Sequence, residues 1–450
     1  MEINRIDILW NYAATFLKIA ASALLLPFIL KMLSPETIGI WTIFMTVTSF
    51  SGLLDFGFSP SFTRNITYIF SGIKKLEVNG YTPIDSTRAE IDFGLLKGTI
   101  SAMRWFYFRI ALILFILLVT AGTYYISYLL KSYSGNKSEI YISWFILIII
   151  NTYNLFTLYY EALLQGKGLV KRQKQIIILG QSVYLIISIL LVLLGSGLIA
   201  IVSAQAISVI IVRWLSYKSF FTTEIKDKVN SVVAYSKDSI LKIIYPNVLK
   251  IGLTSFGGFL VQKSALIIGS FYLTLTDLAS YGITIQLLSV LASLSGIYTA
   301  TYMPKIVQYR VRNDIKSIQY LYRKGQFILI ATFLVGGGFL VLFGQYFLKL
   351  IGSQTPLLPP LVMSLCLLIV FLENNHAIAG NIILSKNEVP FFKASLLSGA
   401  ATILLLFLSF KFTNLGILSM IIAPGIAQVA YQNWKWPFVV MKDLKMLPLK

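Results

Sequence analysis

Apolar positions run along this chain in stretches long enough to cross a bilayer as helices, and they recur from Ile8 to near the last residues with polar connections between them. Within each stretch the apolar residues are continuous rather than alternating, which predicts α-helices and argues against barrel strands. The pattern predicts an all-α polytopic membrane protein of about 12 transmembrane helices: Ile8–Met32, Ile38–Leu54, Trp105–Leu130, Tyr141–Leu164, Ile176–Leu194, Leu198–Leu215, Val248–Tyr272, Ala279–Met303, Phe327–Leu350, Leu357–Ser385, Phe391–Phe410 and Leu415–Trp434. Two connections are longer than the rest. Phe70–Arg104 carries Asn79-Gly80 and Thr82-Pro83 turn signals, after which Leu95, Leu96, Ile100, Met103 and Phe106 recur near helical spacing, predicting an amphipathic helix on the cytoplasmic face. Ser216–Pro246 is polar and falls near the midpoint. The expected division is therefore a six-helix lobe in 1–222, including the amphipathic connection near 70–104, and a second six-helix lobe in 223–450, as in transporters built from two repeats with a site between them.

The charges in the connections orient this array. With the N-terminus in the cytoplasm, 29 of the 38 Lys and Arg fall in inside connections or at the inner ends of spans, five in outside connections or at outer ends, and the other four, Lys18, Arg109, Lys250 and Lys263, within spans. That asymmetry is what the positive-inside rule demands of an even number of spans with both termini cytoplasmic, and an error of one span would scramble it. The net charge of +20 is thus topological. Contact with anionic membrane lipids follows from it, and no nucleic-acid partner is needed to explain it. The chain is 57% hydrophobic and 12% charged, whereas a soluble domain carries about a quarter charged residues. Met1–Leu9 mixes Glu2 and Asp7 with Arg5 and runs into the first span without a small-residue cleavage site, so it reads as a first helix and not a removed signal.

Several function classes lose support. The single cysteine, Cys366, allows no internal disulfide and no cysteine metal cage. No Walker A sequence is present, and the one histidine, His376, belongs to no HExxH motif. The outside connections are short, leaving no large catalytic loop for an enzyme acting on sugars. No cofactor or metal is expected, and transport is the default.

What is transported must be read from the charges within spans, which cost a few kcal/mol unless they face a bundle interior or a wet cavity. Lys18 lies about 15 Å along the first helix and Lys263 deep in the seventh, both too far from an interface to snorkel easily. Each is either an ion-paired structural charge or a cavity-lining cation suited to a phosphate. Lys250, in the first turn of its span, reads more simply as snorkelling, as do Arg109 and Arg213. Among the acids, Asp55 lies near Arg64 and either pairs with it at an inner gate or ties the structure together. Glu161 reads as a solvated interface acid. Glu373-Asn374-Asn375-His376 is the most polar cluster in any span, a carboxylate beside a titratable imidazole, and is either a coupling site for H+ or Na+ or a hydrogen-bonded knot between helices.

Several segments carry a family resemblance. Leu33-Ser34-Pro35-Glu36-Thr37-Ile38-Gly39-Ile40-Trp41, Asp55-Phe56-Gly57-Phe58-Ser59-Pro60 with Arg64-Asn65, Leu164-Gln165-Gly166-Lys167-Gly168 with Lys171-Arg172, Ala279-Ser280-Tyr281-Gly282-Ile283-Thr284 and Met303-Pro304-Lys305-Ile306 resemble, in order and at the matching spans, the characteristic turns of Wzx-type O-antigen flippases. That polysaccharide transporter family shares a superfamily with the lipid II flippase and the MATE drug exporters. The resemblance implies two six-helix lobes, alternating access, and movement of an undecaprenyl-pyrophosphate-linked oligosaccharide from the cytoplasmic to the outer leaflet of the bacterial inner membrane. It also implies a cationic cavity, for which Lys18, Lys263, Lys250 and Arg64 are the candidates, and partners in the polysaccharide polymerase and chain-length machinery. The lipid II relatives use mainly arginines in that cavity, so no exact role passes to these lysines by position. Glu373, His376 and Asp55 are the candidates for ion coupling. The alternatives are a MATE-like cation-coupled exporter of small molecules and, from another class, a polysaccharide polymerase or ligase.

Overall fold

In hydrocarbon every backbone N–H and C=O must find its partner within the protein, which leaves continuous helices as the economical solution for a chain of this apolarity. The computed structural model describes residues 5–74, 76, 90–386 and 389–446. Helix accounts for 84% of it, with no strand among the described residues. The turn signals at Asn79-Gly80 and Thr82-Pro83 lie outside the described residues.

The first half contains α1 (Arg5–Met32), α2 (Pro35–Leu53), α3 (Phe58–Phe70), α4 (Phe93–Leu117), α5 (Thr123–Leu129), α6 (Lys137–Phe156), α7 (Tyr159–Gly166), α8 (Val170–Leu193), α9 (Gly197–Phe220) and α10 (Thr223–Asn230). The second contains α11 (Lys237–Gly269), α12 (Leu275–Val311), α13 (Ile315–Thr332), α14 (Gly338–Ile351), α15 (Pro360–Leu384), α16 (Phe392–Phe412), α17 (Ser419–Val429) and α18 (Gln432–Asp443). Among the described residues eight helices are long and apolar enough to cross a membrane, and nine if the bent pair α2–α3 counts as one span. The chain is a multi-pass membrane protein. Two of these spans, Phe93–Leu129 and Ile315–Ile351, run for 37 residues each through a π-helical turn, Leu118–Gly122 in one and Phe333–Gly337 in the other. At 1.5 Å per residue each is about 55 Å long, well beyond a hydrocarbon core of about 30 Å.

That length changes the reading of the 70–104 connection. Leu95, Leu96, Ile100 and Met103 do not form a separate surface helix; they are the opening turns of α4 and are buried. Asp92 caps the helix by accepting from the Leu95 amide at 2.8 Å. The irregular stretch after α10 covers the apolar face: the Tyr235 amide donates to the Gly94 carbonyl, and Lys97 Nζ donates to the Val232 carbonyl at 2.8 Å. The periodicity is that of a buried helix face, with a protein segment rather than a lipid surface as its partner.

The apolar pattern does not predict the helix that follows the second span. The chain bends by 40° between α2 and α3, at Asp55-Phe56-Gly57. Phe56 and Gly57 both have positive φ, 48° and 81°. Glycine takes that conformation freely, whereas a phenylalanine there is strained and held by its surroundings. Arg64, expected in a connection, sits on α3.

The chain forms two compact units, one comprising Met1–Met32 with Val47–Gly252 and the other Leu33–Thr46 with Leu253–Lys450. In the first, α8 packs on α1 and α9, α6 on α9 and α4, and α7 on α3. In the second, α12 packs on α13 and α15, α16 on α17, and α15 on α18. Lipid supplies no hydrophobic drive for helix association, so close packing and polar contacts hold such bundles, and small residues mark the closest approaches. In the second unit the opening of α2 lies against α12 in this way. A Cβ on Gly39 would stand 2.2 Å from the Leu275 carbonyl oxygen, and one on Gly282 2.2 Å from Thr42 Cγ2. Both glycines belong to the segments that carry the family resemblance.

A β-branched side chain at either glycine must push two helices apart. Gly39→Val, facing rigid backbone, is expected to abolish the monodisperse peak of the detergent-solubilised protein in size-exclusion chromatography. Gly282→Val, facing a side chain, is expected to lower its amount without abolishing it. Parent-like profiles for both would show that these helices do not meet as described.

Candidate functional site

The second unit encloses a cavity of about 380 Å³ between α11, α12, α15 and α17. Lys263 reaches it from α11, Tyr281 from α12, Cys366, Glu373 and Asn374 from α15. Asn374 ties two walls together: its Nδ2 donates to the Ala292 carbonyl at 3.1 Å and to Ser295 Oγ at 2.5 Å, both on α12. Lys263 and Glu373 have no ion-pair partner among the described residues. A cation and an anion therefore face the same partly apolar chamber without closing on each other within ion-pair distance, and each remains available to a guest. The ammonium can hold a phosphate as a point charge; the carboxylate can hold a proton or a cation.

The other expected residues are distributed around this centre. His376 does not line the cavity. It turns toward α18, where Nδ1 lies 2.8 Å from Asn433 Oδ1, so the imidazole joins α15 to α18 instead of sharing a site with Glu373. Lys18 lies on α1 in the first unit and Lys250 on α11 two residues before that unit's boundary; for both, only the backbone belongs to the described residues. Arg64 is exposed on α3, and no ion pair to Asp55 is found among the described residues. Asp55 accepts instead from the Ser59 amide at 3.1 and 3.2 Å and from Tyr107 Oη at 2.5 Å. A carboxylate at the first turn of α3 satisfies an orphan N–H and complements the helix dipole, and Tyr107 pins it to α4. Among the described residues no group of three or more His, Cys, Asp and Glu could hold a metal.

The most engaged charge in a span is one the sequence places at an interface. Arg213 does not snorkel: it is 4% exposed, and its guanidinium donates to Glu161 Oε1 at 2.7 Å and to Asn154 Oδ1 at 2.6 and 3.1 Å. The fork thus gathers α6, α7 and α9 into one polar node. Glu161 is correspondingly an ion-paired group and not a freely solvated acid. The signal available in sequence is the seven-residue step from Asn154 to Glu161, which puts both on one face of the single span that the apolar pattern predicts there. Nothing local points to Tyr107 as the partner of Asp55.

No family model matches the chain, and no curated protein matches it in sequence. Solved structures do resemble it in fold. An inward-facing multidrug resistance MATE family transporter of the MOP superfamily aligns over 96% of both chains with a TM-score of 0.62 and 14% identity. The MATE multidrug transporter DinF-BH, solved in complex with a ligand, aligns over 99% of this chain and 97% of its own with a TM-score of 0.63 and 15% identity. A MOP superfamily transporter from Pyrococcus furiosus Vc1 (DSM3638), described as having a binding pocket of reverse polarity that suggests a different function, covers 98% of this chain and 95% of its own at 0.51 and 14%. The chain has the MATE transporter fold, and these neighbours are transporters rather than enzymes.

Removing Arg213 would strand Glu161 and Asn154 in a poorly solvated node. Arg213→Ala is expected to cost about 3 kcal/mol, read as a marked fall in the thermal midpoint of the purified protein, while Arg213→Leu combined with Glu161→Leu costs less than the single variant. A double variant less stable than Arg213→Ala would mean that the pair contributes net stability beyond compensating its own desolvation.

Proposed function

We propose that the chain is a flippase of lipid-linked oligosaccharides in the bacterial inner membrane, moving an undecaprenyl-pyrophosphate-linked repeat from the cytoplasmic to the outer leaflet by alternating access. In this reading its helices number about twelve, with both termini cytoplasmic. The observation that carries the proposal is the cavity that Lys263 and Glu373 both line, neither with an ion-pair partner among the described residues, within a transporter fold whose turns resemble those of polysaccharide flippases. Lys263 attracts the pyrophosphate, with Lys18, Lys250 and Arg64 as further cations along its route. The sugars occupy the cavity while the polyprenyl tail stays in lipid. Polysaccharide polymerase and chain-length proteins would consume the product.

Two lysines alone give no direction, since they attract the anion equally from either side. The neighbouring carboxylate supplies a way to couple. When ionised, Glu373 opposes entry of the pyrophosphate into the chamber it shares with Lys263; when protonated or occupied by Na+, it leaves the field of the ammonium to the substrate. Proton or cation binding and pyrophosphate binding then reinforce each other through one shared charge. Asp55 and His376 are weaker candidates, because each already has a hydrogen-bond partner holding its side chain.

The second reading is a cation-coupled exporter of small molecules, favoured by Glu373 in the same cavity and by the ligand-bound MATE multidrug neighbour. Lys263 stands against it, because an ammonium in the cavity repels cationic cargo.

In a strain that makes the matching lipid-linked sugar but lacks its own flippase, the chain is expected to restore surface polysaccharide on a lipopolysaccharide gel. Lys263→Ala and Lys18→Ala are each expected to reduce it roughly tenfold at equal expression, the scale of one charged hydrogen bond. Intact transport in both variants would sink the cavity reading, and drug resistance without polysaccharide would favour the exporter.

Glu373→Gln mimics the protonated acid. Binding of geranyl pyrophosphate to the purified parent is expected to strengthen as pH falls, whereas the variant binds at the acidic level throughout. An equally steep pH profile in the variant would remove Glu373 from the coupling.

A further inference from the structure

A second cavity in the same unit, about 450 Å³, lies between the C-terminal part of α12 and the first turns of α13. Three lysines line it, Lys305, Lys316 and Lys324, together with Tyr298, Tyr302 and Tyr320, and among the described residues no carboxylate does. We propose that it is a reception site for the pyrophosphate-sugar headgroup of a polyprenyl lipid, on the face that the charge pattern assigns to the cytoplasm; this rests on the flippase reading above.

The acids nearby are already engaged. Asp314 caps α13, accepting from the Ser317 amide at 3.1 Å and from Ser317 Oγ at 2.6 Å, and it also feels the charge of Lys316. Asp443 pairs with Arg310 at 2.8 Å and with Lys386. Among the described residues none of the three cavity lysines forms an ion pair. Three ammonium groups around one concavity repel one another, and a counter-anion bound there relieves that repulsion. An anion bearing more than one negative charge relieves it better than a monoanionic phosphodiester, which points to a pyrophosphate over an ordinary phospholipid head.

The walls fit the rest of such a headgroup. The rings of Tyr298 and Tyr302 lie 4.7 Å apart, and Lys324 and Lys305 stand 5.4 Å from the ring centres of Tyr298 and Tyr302 respectively. A flat phenol pairs an apolar face with a hydroxyl, the combination that packs against a sugar ring while bonding its hydroxyl groups. The floor is rigid: Ile306, Ile318 and Tyr322 are buried against Trp436 and Val440 in one core cluster, so the lysine stems are presented by a packed surface and not by loops. Capture here would raise the local concentration of substrate near the transport cavity before any conformational change.

The test uses the full-length chain in phosphatidylcholine nanodiscs, carrying Lys263→Gln so that the transport cavity contributes little. Geranyl pyrophosphate and dioctanoyl phosphatidylglycerol are titrated separately into this protein and into the same protein with Lys305→Gln, Lys316→Gln and Lys324→Gln. All three lysines are exposed, and an arginine triple variant controls for folding and charge. The expected result is at least a tenfold loss of pyrophosphate affinity in the glutamine triple variant, recovery toward parent affinity with arginine, and less than a twofold change for phosphatidylglycerol. Equal losses for both ligands would overturn the pyrophosphate assignment and leave a general anionic-lipid site. No loss for either would overturn the site altogether. Failure of the flippase reading shows up separately, as failure of the unaltered chain to restore surface polysaccharide.

Discussion

A charge carried into hydrocarbon must be paired, hydrogen-bonded or given a wet cavity, and that requirement organises the interior of this protein. The described residues meet it in two ways. In the first unit two charges are engaged structurally: Arg213 is bound by Glu161 and Asn154, and Asp55 by Ser59 and Tyr107. These contacts join α6, α7 and α9 in one place and fix the start of α3 to α4 in the other. The second unit leaves Lys263 and Glu373 uncommitted in a shared chamber, while Asn374 and His376 use their polarity to hold the chamber's helices to one another and to α18. The difference between bound and uncommitted charge is what distinguishes the scaffold from the proposed site.

The helices that carry these groups are interrupted in few places, and each interruption has a local cause. The bend between α2 and α3 uses the positive φ of Gly57, and Asp55 absorbs an N–H freed there. The π-helical turns in the two 37-residue spans each add a residue to one turn, so side chains before and after the turn face directions that a regular helix would not relate. Where backbones approach most closely, as at Gly39 and Gly282, the chain has removed the side chain entirely.

The helical class and most spans were legible because continuous apolar runs leave little alternative in a bilayer. The polar α3 was not, since Ser59, Pro60 and Arg64 look like a connection; Pro60 is tolerated because it falls in the first turn, where its missing N–H costs little. The amphipathic pattern from Leu95 to Met103 was visible, but periodicity cannot say whether an apolar face meets lipid or protein. In the site, Lys263 and Glu373 each stood out as a charge in a span, yet their common cavity depends on how α11 packs near α15, which no local pattern encodes. Sequence adjacency misled in one case: Glu373 and His376 share a helix but serve different neighbours. Arg213 misled in the opposite direction, because its position near a predicted helix end hid a buried node formed with residues from two other helices.

The wall of the cavity lined by Lys263 and Glu373 also holds Cys366, the chain's single thiol, 2% exposed and a short way along α15 from Glu373. The wild-type molecule therefore carries its own spectroscopic handle, needing no cysteine-free background. An alkylating probe can reach that sulfur only when the chamber admits it, so the rate of modification in intact membranes reports access to the compartment that Lys263 and Glu373 both line.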